Sequence, residues 1–292
     1  MQEEYHLSCL ICNNPKLKDL EYYKHAFLTK CQNCNFVFSR KIPSQKELNK
    51  HYEGYGRNDY LSPITIKRYN ELLDKFEKFK KTGKILDVGC GVGYFLDEAK
   101  KRGWEVYGTE YTNEAIKICK NKGIHMQEGK LNSKNYTDEE FDVITSFEVL
   151  EHINNPVEEI KIFNNLLRLG GLVYLTTPNF NSISRYYLKS KYNIITYPEH
   201  LSYYTPKTLK KLFKSSNFKA YKIETTGISI TRIKTSMKIS DQPLISVKSD
   251  DERIRKQLES NRALKKVKTL INYGLTIFGR GNSLKGWFVK HY

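Results

Sequence analysis

No run of apolar residues in this 292-residue chain approaches the roughly 20 needed to span a bilayer, so no membrane-crossing helix is predicted. No fixed-period repeat and no low-complexity tract appears, which excludes a solenoid or a disordered scaffold. The start, Met1-Gln-Glu-Glu-Tyr-His6, is polar and acidic and does not read as an export signal. A cytoplasmic location is therefore expected, with the six cysteines as reduced thiols or metal ligands rather than disulfides. Acidic residues are scarce: 32 Asp and Glu face 49 Lys and Arg, a net charge of +17. That balance keeps an anionic partner such as RNA or a membrane surface open. The length leaves room for one large core and a small accessory module.

A glycine is also missing where one common fingerprint needs it. Lys84–Gly93 reads as a buried strand running into Gly89, Gly91 and Gly93. Glycine adopts the dihedrals of such a turn without strain, and a side chain there is expected to occupy ligand space. The dinucleotide pattern G-x-G-x-x-G would need a further glycine at Tyr94, so a nicotinamide or flavin ligand is disfavoured. The next strand signal, Trp104–Thr109, ends at Glu110, about twenty residues on, where an acid can accept hydrogen bonds from two ribose hydroxyls. Tyr111 follows and can offer its ring to a bound nucleoside.

Strand and helix signals then alternate. Thr112–Lys122 reads as a helix, Ile124–Met126 as a short strand and Phe141–Ser146 as a buried strand. Asn155 caps a helix with Pro156 at its first position, and Gly170-Gly171 is expected to end it before a strand at Leu172–Thr177. Such alternation predicts βαβ units and a parallel sheet, whose ligands sit at the carboxyl ends of the strands. Gly89–Gly93, Glu110, Gly129–Leu131 and Ser146–His152 all fall at those ends.

Four cysteines form a second pattern. Cys9-x-x-Cys12 and Cys31-x-x-Cys34 are separated by 18 residues, the spacing of a zinc ribbon. Four thiolates bind zinc tetrahedrally, and Asn13 and Asn35 tolerate the left-handed turn after each knuckle. The metal is expected to scaffold a segment too short to build its own core. Cys90 and Cys119 read as small buried residues.

Asp87-Val-Gly-Cys-Gly-Val-Gly93, Glu110, Glu148-Val-Leu-Glu-His152, Leu169-Gly-Gly171 and Pro198–Thr205 together resemble the class I S-adenosylmethionine (SAM) dependent methyltransferases. The chain as a whole is similar to small-molecule methyltransferases that carry an N-terminal zinc ribbon, many of which serve surface-glycan biosynthesis. The resemblance implies an α/β fold: a Rossmann-like seven-stranded sheet flanked by helices, with the ribbon at the N-terminus. It implies a ribbon over 1–42, a helical linker or lid over 43–82 and a methyltransferase domain over 83–292, with a helical insert near 231–283. Tyr52, Tyr55 and Tyr60 are lid candidates, or aromatics packing the ribbon onto the core. The cofactor residues it implies are Asp87, Gly89, Cys90, Gly91, Gly93, Glu110, Tyr111, Leu131 and Phe147. Many relatives place an acid after the third strand to hold the adenine amino group. Here Gly129-Lys130-Leu131 stands instead, so backbone groups are expected to do that work.

Glu148, Glu151 and His152 at i, i+3 and i+4 are expected on one face of a helical turn. In one reading His152 is the general base that takes the proton of an attacking hydroxyl, oriented by Glu148 or Glu151. In the other the three hold a divalent cation, as some quinone and RNA 2′-O-methyltransferases resembling this arrangement do, with His200 as a further ligand. A third reading makes the segment a cap on the following helix. The base is preferred because sugar hydroxyls can be methylated without a cation. The expected acceptor is a sugar-like small molecule. The alternatives are RNA and a quinone or lipid-linked acceptor; against RNA, the chain shows neither the Asn/Asp-Pro-Pro-aromatic signature of base-amine methylation nor a recognisable RNA-binding domain. Glu252–Phe278 reads as one amphipathic helix, packing on the core as a substrate lid or touching an anionic membrane with its lysines.

Overall fold

The computed structural model describes residues 3–52, 61–243 and 246–291. Tyr55 and Tyr60, two of the lid candidates, lie outside the described residues, as does the side chain of Tyr52. The chain opens with β1 (Glu4–Tyr5), β2 (Leu17–Asp19), β3 (Leu28–Cys31), β4 (Val37–Ser39) and β5 (Lys41–Ile42). Two helices follow, α1 (Gln45–Tyr52) and α2 (Pro63–Phe76). The hydroxyl of Ser62 caps α2 through the Ile64 N–H, with Pro63 just inside the helix.

The core alternates strand and helix: β6 (Lys84–Val88), α3 (Tyr94–Lys101), β7 (Glu105–Glu110), α4 (Asn113–Asn121), β8 (His125–Glu128), β9 (Phe141–Phe147), α5 (Pro156–Leu166) and β10 (Leu167–Pro178). Then come α6 (Ile183–Leu188), β11 (Ser202–Tyr203), α7 (Pro206–Lys214), β12 (Phe218–Thr226), α8 (Ile230–Ser236), α9 (Asp250–Ser260), α10 (Arg262–Phe278) and β13 (Ser283–Lys290). Seven strands form one sheet in the order β12-β13-β10-β9-β6-β7-β8. β10, β9, β6, β7 and β8 are parallel, and β13 runs antiparallel between β10 and β12. Central strands such as Phe141–Phe147 are buried along almost their whole length, because helices cover both faces. The strand order reverses between β6 and β9, which run parallel, and this switch point opens a crevice at their carboxyl ends.

The N-terminal strands are continuous with this core. β2, β3 and β4 pair antiparallel, and β11 adds to the edge of β4 through Ser202↔Phe38 and Tyr203↔Val37. Phe36 and Phe38 are fully buried and pack with Tyr204, so the cysteine segment shares one apolar cluster with β9, β10 and α7. The boundary drawn after residue 42 is thus not a packing boundary.

Two elements differ from the sequence reading. Gly170-Gly171 does not end α5. The strand starts at Leu167 and the glycines sit in a bulge, where the pairing with β9 shifts between Leu167 and Leu172. A Cβ at Gly171 would lie 2.9 Å from the Arg168 carbonyl and 3.0 Å from that of Asp142. The bulge lets Arg168 pair with the buried Asp142, whose other oxygen accepts the Lys81 and Gly83 N–H groups at 2.7 Å. Glu252–Phe278, read as one helix, is two. The Asn261 side chain accepts the Ala263 and Leu264 N–H groups and starts α10 afresh.

Candidate active site

The glycine turn lies at the β6 end of the crevice. Gly89, Gly91 and Gly93 have φ of 72°, 54° and 77°, so all three use the left-handed region that disfavours other residues. The expectation that a side chain at each would fill ligand space does not hold for two of them. A Cβ at Gly89 would meet Val149 at 2.5 Å, and one at Gly93 would meet Ile124 at 2.7 Å. These glycines allow close packing of the turn on its own protein.

The Glu110 carboxylate is fixed over this turn. One oxygen accepts the Gly91 N–H at 3.0 Å, and the other accepts those of Tyr111 (2.7 Å) and Thr112 (3.3 Å). Asp87 is buried and accepts the Thr145 hydroxyl at 2.7 Å. Burial pushes its pKa up to about 7, with the hydrogen bond opposing and the Glu110 charge adding. Tyr111 is exposed, with its ring edge 4.0 Å from a Cβ built at Gly129, while Leu131 is buried in the main apolar cluster. Cys90 turns its sulfur inward, toward Met126 and the space a Gly108 side chain would take, and its backbone N–H and carbonyl bond to Thr109 and Gly93. The Phe147 ring is likewise enclosed, packed against Tyr69, Phe95 and Tyr174.

Glu148, Glu151 and His152 do not share one helical turn. Glu148 has φ 53°, and only Leu150–His152 forms a short 3-10 turn. The reason is local: the Glu148 N–H bonds to the Thr176 carbonyl at 2.9 Å and ends β9 abruptly. The residues brought together are Glu151, His152 and His200, whose ligand atoms lie within 4.8 Å of one another. Glu148 is outside that group. Glu151 is buried and accepts the Thr177 hydroxyl at 2.8 Å. Burial raises its pKa well above the carboxylate range, and the Glu148 charge adds. His152 and His200 pack edge to face, with Nδ1 of each on a carbonyl, Glu199 at 2.7 Å and Ile194 at 2.6 Å. A carbonyl only accepts, so each Nδ1 carries a proton. Burial, then His152, lowers the His200 pKa to about 4, so that ring is neutral at neutral pH.

The two cysteine knuckles match each other. Cys9 and Cys34 sulfurs are 3.4 Å apart, and those of Cys12 and Cys31 are 3.6 Å apart. Asn13 and Asn35 take φ of 55° and 63°, and each N–H closes its knuckle on the carbonyl of Cys9 or Cys31. All four sulfurs lie within 4.8 Å of one another. Thiolates on a tetrahedral zinc stand about 3.8 Å apart, given Zn–S near 2.3 Å, so the donor set fits that metal.

A mixed sheet of this order, with a glycine turn and a facing acid at its switch point, defines a class I SAM-dependent methyltransferase fold. The chain belongs to the methyltransferase-domain family, which matches residues 60–223, more than half of its length. It is 31% identical to the ubiquinone biosynthesis O-methyltransferase of Haemophilus ducreyi over 154 residues, 46% of this chain and 64% of that protein. It is 30% identical to the enzyme of the same name from Aeromonas salmonicida over 105 residues, 34% of this chain and 44% of that protein. The chain spans about half the length of the curated relatives it matches. Among solved structures, a SAM dependent methyltransferase from Archaeoglobus fulgidus superposes with a TM-score of 0.52 at 18% identity, covering 85% of this chain and all of that one. That likeness shows the fold.

One residue of this region was missed in the sequence. Glu159 on α5 is 2% exposed, and among the described residues one of its carboxylate oxygens has no hydrogen-bond partner. Its spacing from Phe163 and Leu166 places it on the apolar face, a signal hidden by its resemblance to an ordinary first-turn acid. Burial pushes its pKa up to about 7, with Lys130 opposing and Glu158 adding.

Proposed function

We propose that the protein transfers the methyl group of SAM to a hydroxyl of a small acceptor. The observation that carries this reading is the convergence of the Gly89–Gly93 turn, Glu110 and the Glu151–His152–His200 cluster on one crevice. The turn and the Glu110 carboxylate take the cofactor's ribose, with Tyr111 and Leu131 flanking the adenine. Glu159 accepts the adenine amino group, the part assigned in relatives to an acid missing from Gly129-Lys130-Leu131. SAM is already activated by its sulfonium, so the protein's work is to hold the acceptor oxygen in line and remove its proton. The names of the two relatives favour a phenolic or quinol-type acceptor over the sugar expected from the sequence. Labelled SAM, a catechol-type acceptor and a nucleotide sugar test this directly. Methylation of the catechol alone is expected; transfer only to the sugar reverses the preference, and transfer to RNA fragments would replace both.

His152 is the base in this reading, with Nε2 as the proton acceptor. The paired imidazoles also favour a second reading in which Glu151, His152 and His200 hold a divalent cation against the acceptor oxygen. Carbonyls on both Nδ1 atoms orient the rings as the second shell of a metal site does. Cys9, Cys12, Cys31 and Cys34 hold a structural zinc that supports β4 and, through it, β11.

Glu159 gives a test with two opposite signs. Its folded pKa is raised above the ordinary carboxylate value, so the stability it contributes is complete below about pH 4.5 and is lost as pH rises through 7. Glu159→Gln is expected to unfold later than the parent at pH 8 by about 1–3 kcal/mol and equally at pH 4.5, by denaturant titration. The same variant should bind S-adenosylhomocysteine more weakly. Unchanged affinity removes Glu159 from the cofactor site.

The apolar face of α10 points outward. Val267, Leu270, Ile271, Ile277 and Phe278 are between 48% and 74% exposed, whereas Leu275 and Thr276 bond to Thr225 of β12. The stripe runs along a helix of about 25 Å, and Arg262 and Lys266, one ridge of the helix, lie to one side of it. One side of α10 is thus packed on β12, as expected of an insert on the core, and the exposed stripe on the other side supports peripheral contact with an anionic membrane. Flotation with phosphatidylglycerol vesicles should carry the protein upward, and Leu270→Glu should prevent it. Equal behaviour with neutral vesicles would end the membrane reading.

A further inference from the structure

The acceptor end of the crevice carries two cations whose neighbouring acids are already engaged. Lys285 lies on β13, opposite Thr176 of β10 and Glu224 of β12. Strand side chains alternate in direction, so Lys285 shares its face with Trp287, whose ring packs on Tyr174 and on Phe76 of α2. It stands one residue pair nearer the carboxyl edge, level with the end of β9. Arg68 lies on the same ridge of α2 as Leu72 and Phe76, about 12 Å toward the helix start, and so approaches that edge from above. The next residue, Tyr69, packs on Phe147 at the end of β9. The first turns of α9 and α2 are tied by Ser62 donating to Glu252 at 2.6 Å.

Both cations are half-buried, and among the described residues neither has a hydrogen bond or an ion pair. Burial, foremost, lowers the pKa of each. For Lys285 the Glu224 charge opposes, while Arg68, Lys75 and Lys268 add. The acids within reach are committed elsewhere. Glu224 pairs with Lys222 at 2.9 Å. Glu259 takes Lys67 and Lys268 at 2.8 and 3.0 Å. Glu252 holds Ser62 and Arg255, and Glu71 faces Lys67. Partly desolvating two positive charges that have no partner among the described residues costs free energy that a bound anion would return.

We propose that Arg68 and Lys285 form an anion-binding subsite that selects an acceptor carrying a phosphate or carboxylate group beside the hydroxyl to be methylated. The inference rests on the reading of this crevice as the acceptor site. The cofactor's own carboxylate is the other source of such an anion. Lys285 is three strands from the glycine turn on β6, about 14 Å at ordinary strand spacing, which favours the acceptor.

The test is calorimetry on the full chain saturated with S-adenosylhomocysteine, using inorganic pyrophosphate as the probe. Parent protein should bind pyrophosphate. Arg68→Gln and Lys285→Met should each weaken it about tenfold, the loss of one charge-assisted hydrogen bond, and Lys285→Arg should retain it. Thermal melting of each variant checks that it is folded. S-adenosylhomocysteine affinity should be unchanged in all of them. A fall in that affinity would assign the anion to the cofactor and overturn the proposal, as would pyrophosphate binding that is absent in the parent or equal in the variants. Failure of the parent to bind S-adenosylhomocysteine would instead remove the methyl-transfer reading itself.

Discussion

Replacing His152 by alanine is expected to lower turnover by about 10²–10⁴-fold while S-adenosylhomocysteine affinity stays within about twofold. The separation follows from position. The groups proposed to bind the cofactor belong to β6, β7 and the turn after β6, with Gly91 and Glu110 bonded to each other at 3.0 Å, whereas His152 sits beyond β9 and bonds to Glu199. The lost group is the imidazole proposed as the base. His200→Ala distinguishes the two chemical readings. If His152 acts alone as base, the His200 variant keeps much of its turnover and chelators have no effect on the site. If the pair holds a cation, both variants fall together, and added magnesium, manganese or zinc changes the rate of the parent only. Full turnover in His152→Ala would sink both readings and leave the segment as the cap it also resembles.

The sheet was legible because its signals are local. Lys84–Val88, Glu105–Glu110 and Phe141–Phe147 are apolar runs bounded by turns, and the chain alternates between periods of 2 and 3.6. The crevice followed, because strand ends in such a sheet converge whatever the side chains. What was not legible depends on contacts distant in sequence. The i, i+3, i+4 spacing of Glu148, Glu151 and His152 assumes a helix, and the bond from Glu148 to Thr176 removes it. Thr177 as the partner of Glu151, and Arg68 beside Lys285, needed β10 and β13 placed first. The bulge at Gly170-Gly171 is similar: glycine after a helix usually ends it, and only the Asp142–Arg168 pair reveals another use. The join between β4 and β11 carries no sequence signal, since two residues of strand have no period to read.

That join makes zinc removal the other large effect. Structural zinc in small cysteine sites contributes on the order of 10 kcal/mol or more of binding free energy that is also folding free energy. On the zinc reading the metal fixes the Cys9–Cys12 and Cys31–Cys34 knuckles, and without it β3 and β4 are held only by the burial of Cys9, Cys31, Phe36 and Phe38 in the shared cluster. The consequence travels by hydrogen bonds to the chemistry. Ser39 of β4 donates to the Leu201 carbonyl at 2.8 Å, and the Leu201 N–H donates to the Glu151 carbonyl at 2.8 Å. Tyr203, paired with Val37, donates its hydroxyl to the His200 carbonyl at 3.1 Å. Loss of β4 therefore loosens Glu151 and His200 together while leaving β6, β7 and the glycine turn in place. One zinc per chain is expected by elemental analysis. Stripping it, or Cys31→Ser, should abolish most turnover, and S-adenosylhomocysteine binding should survive in whatever fraction remains folded. Native turnover in zinc-free protein would show that the knuckles stand without a metal. Loss of cofactor binding in step with turnover would show that β4 supports the whole sheet rather than the His152–His200 side of it.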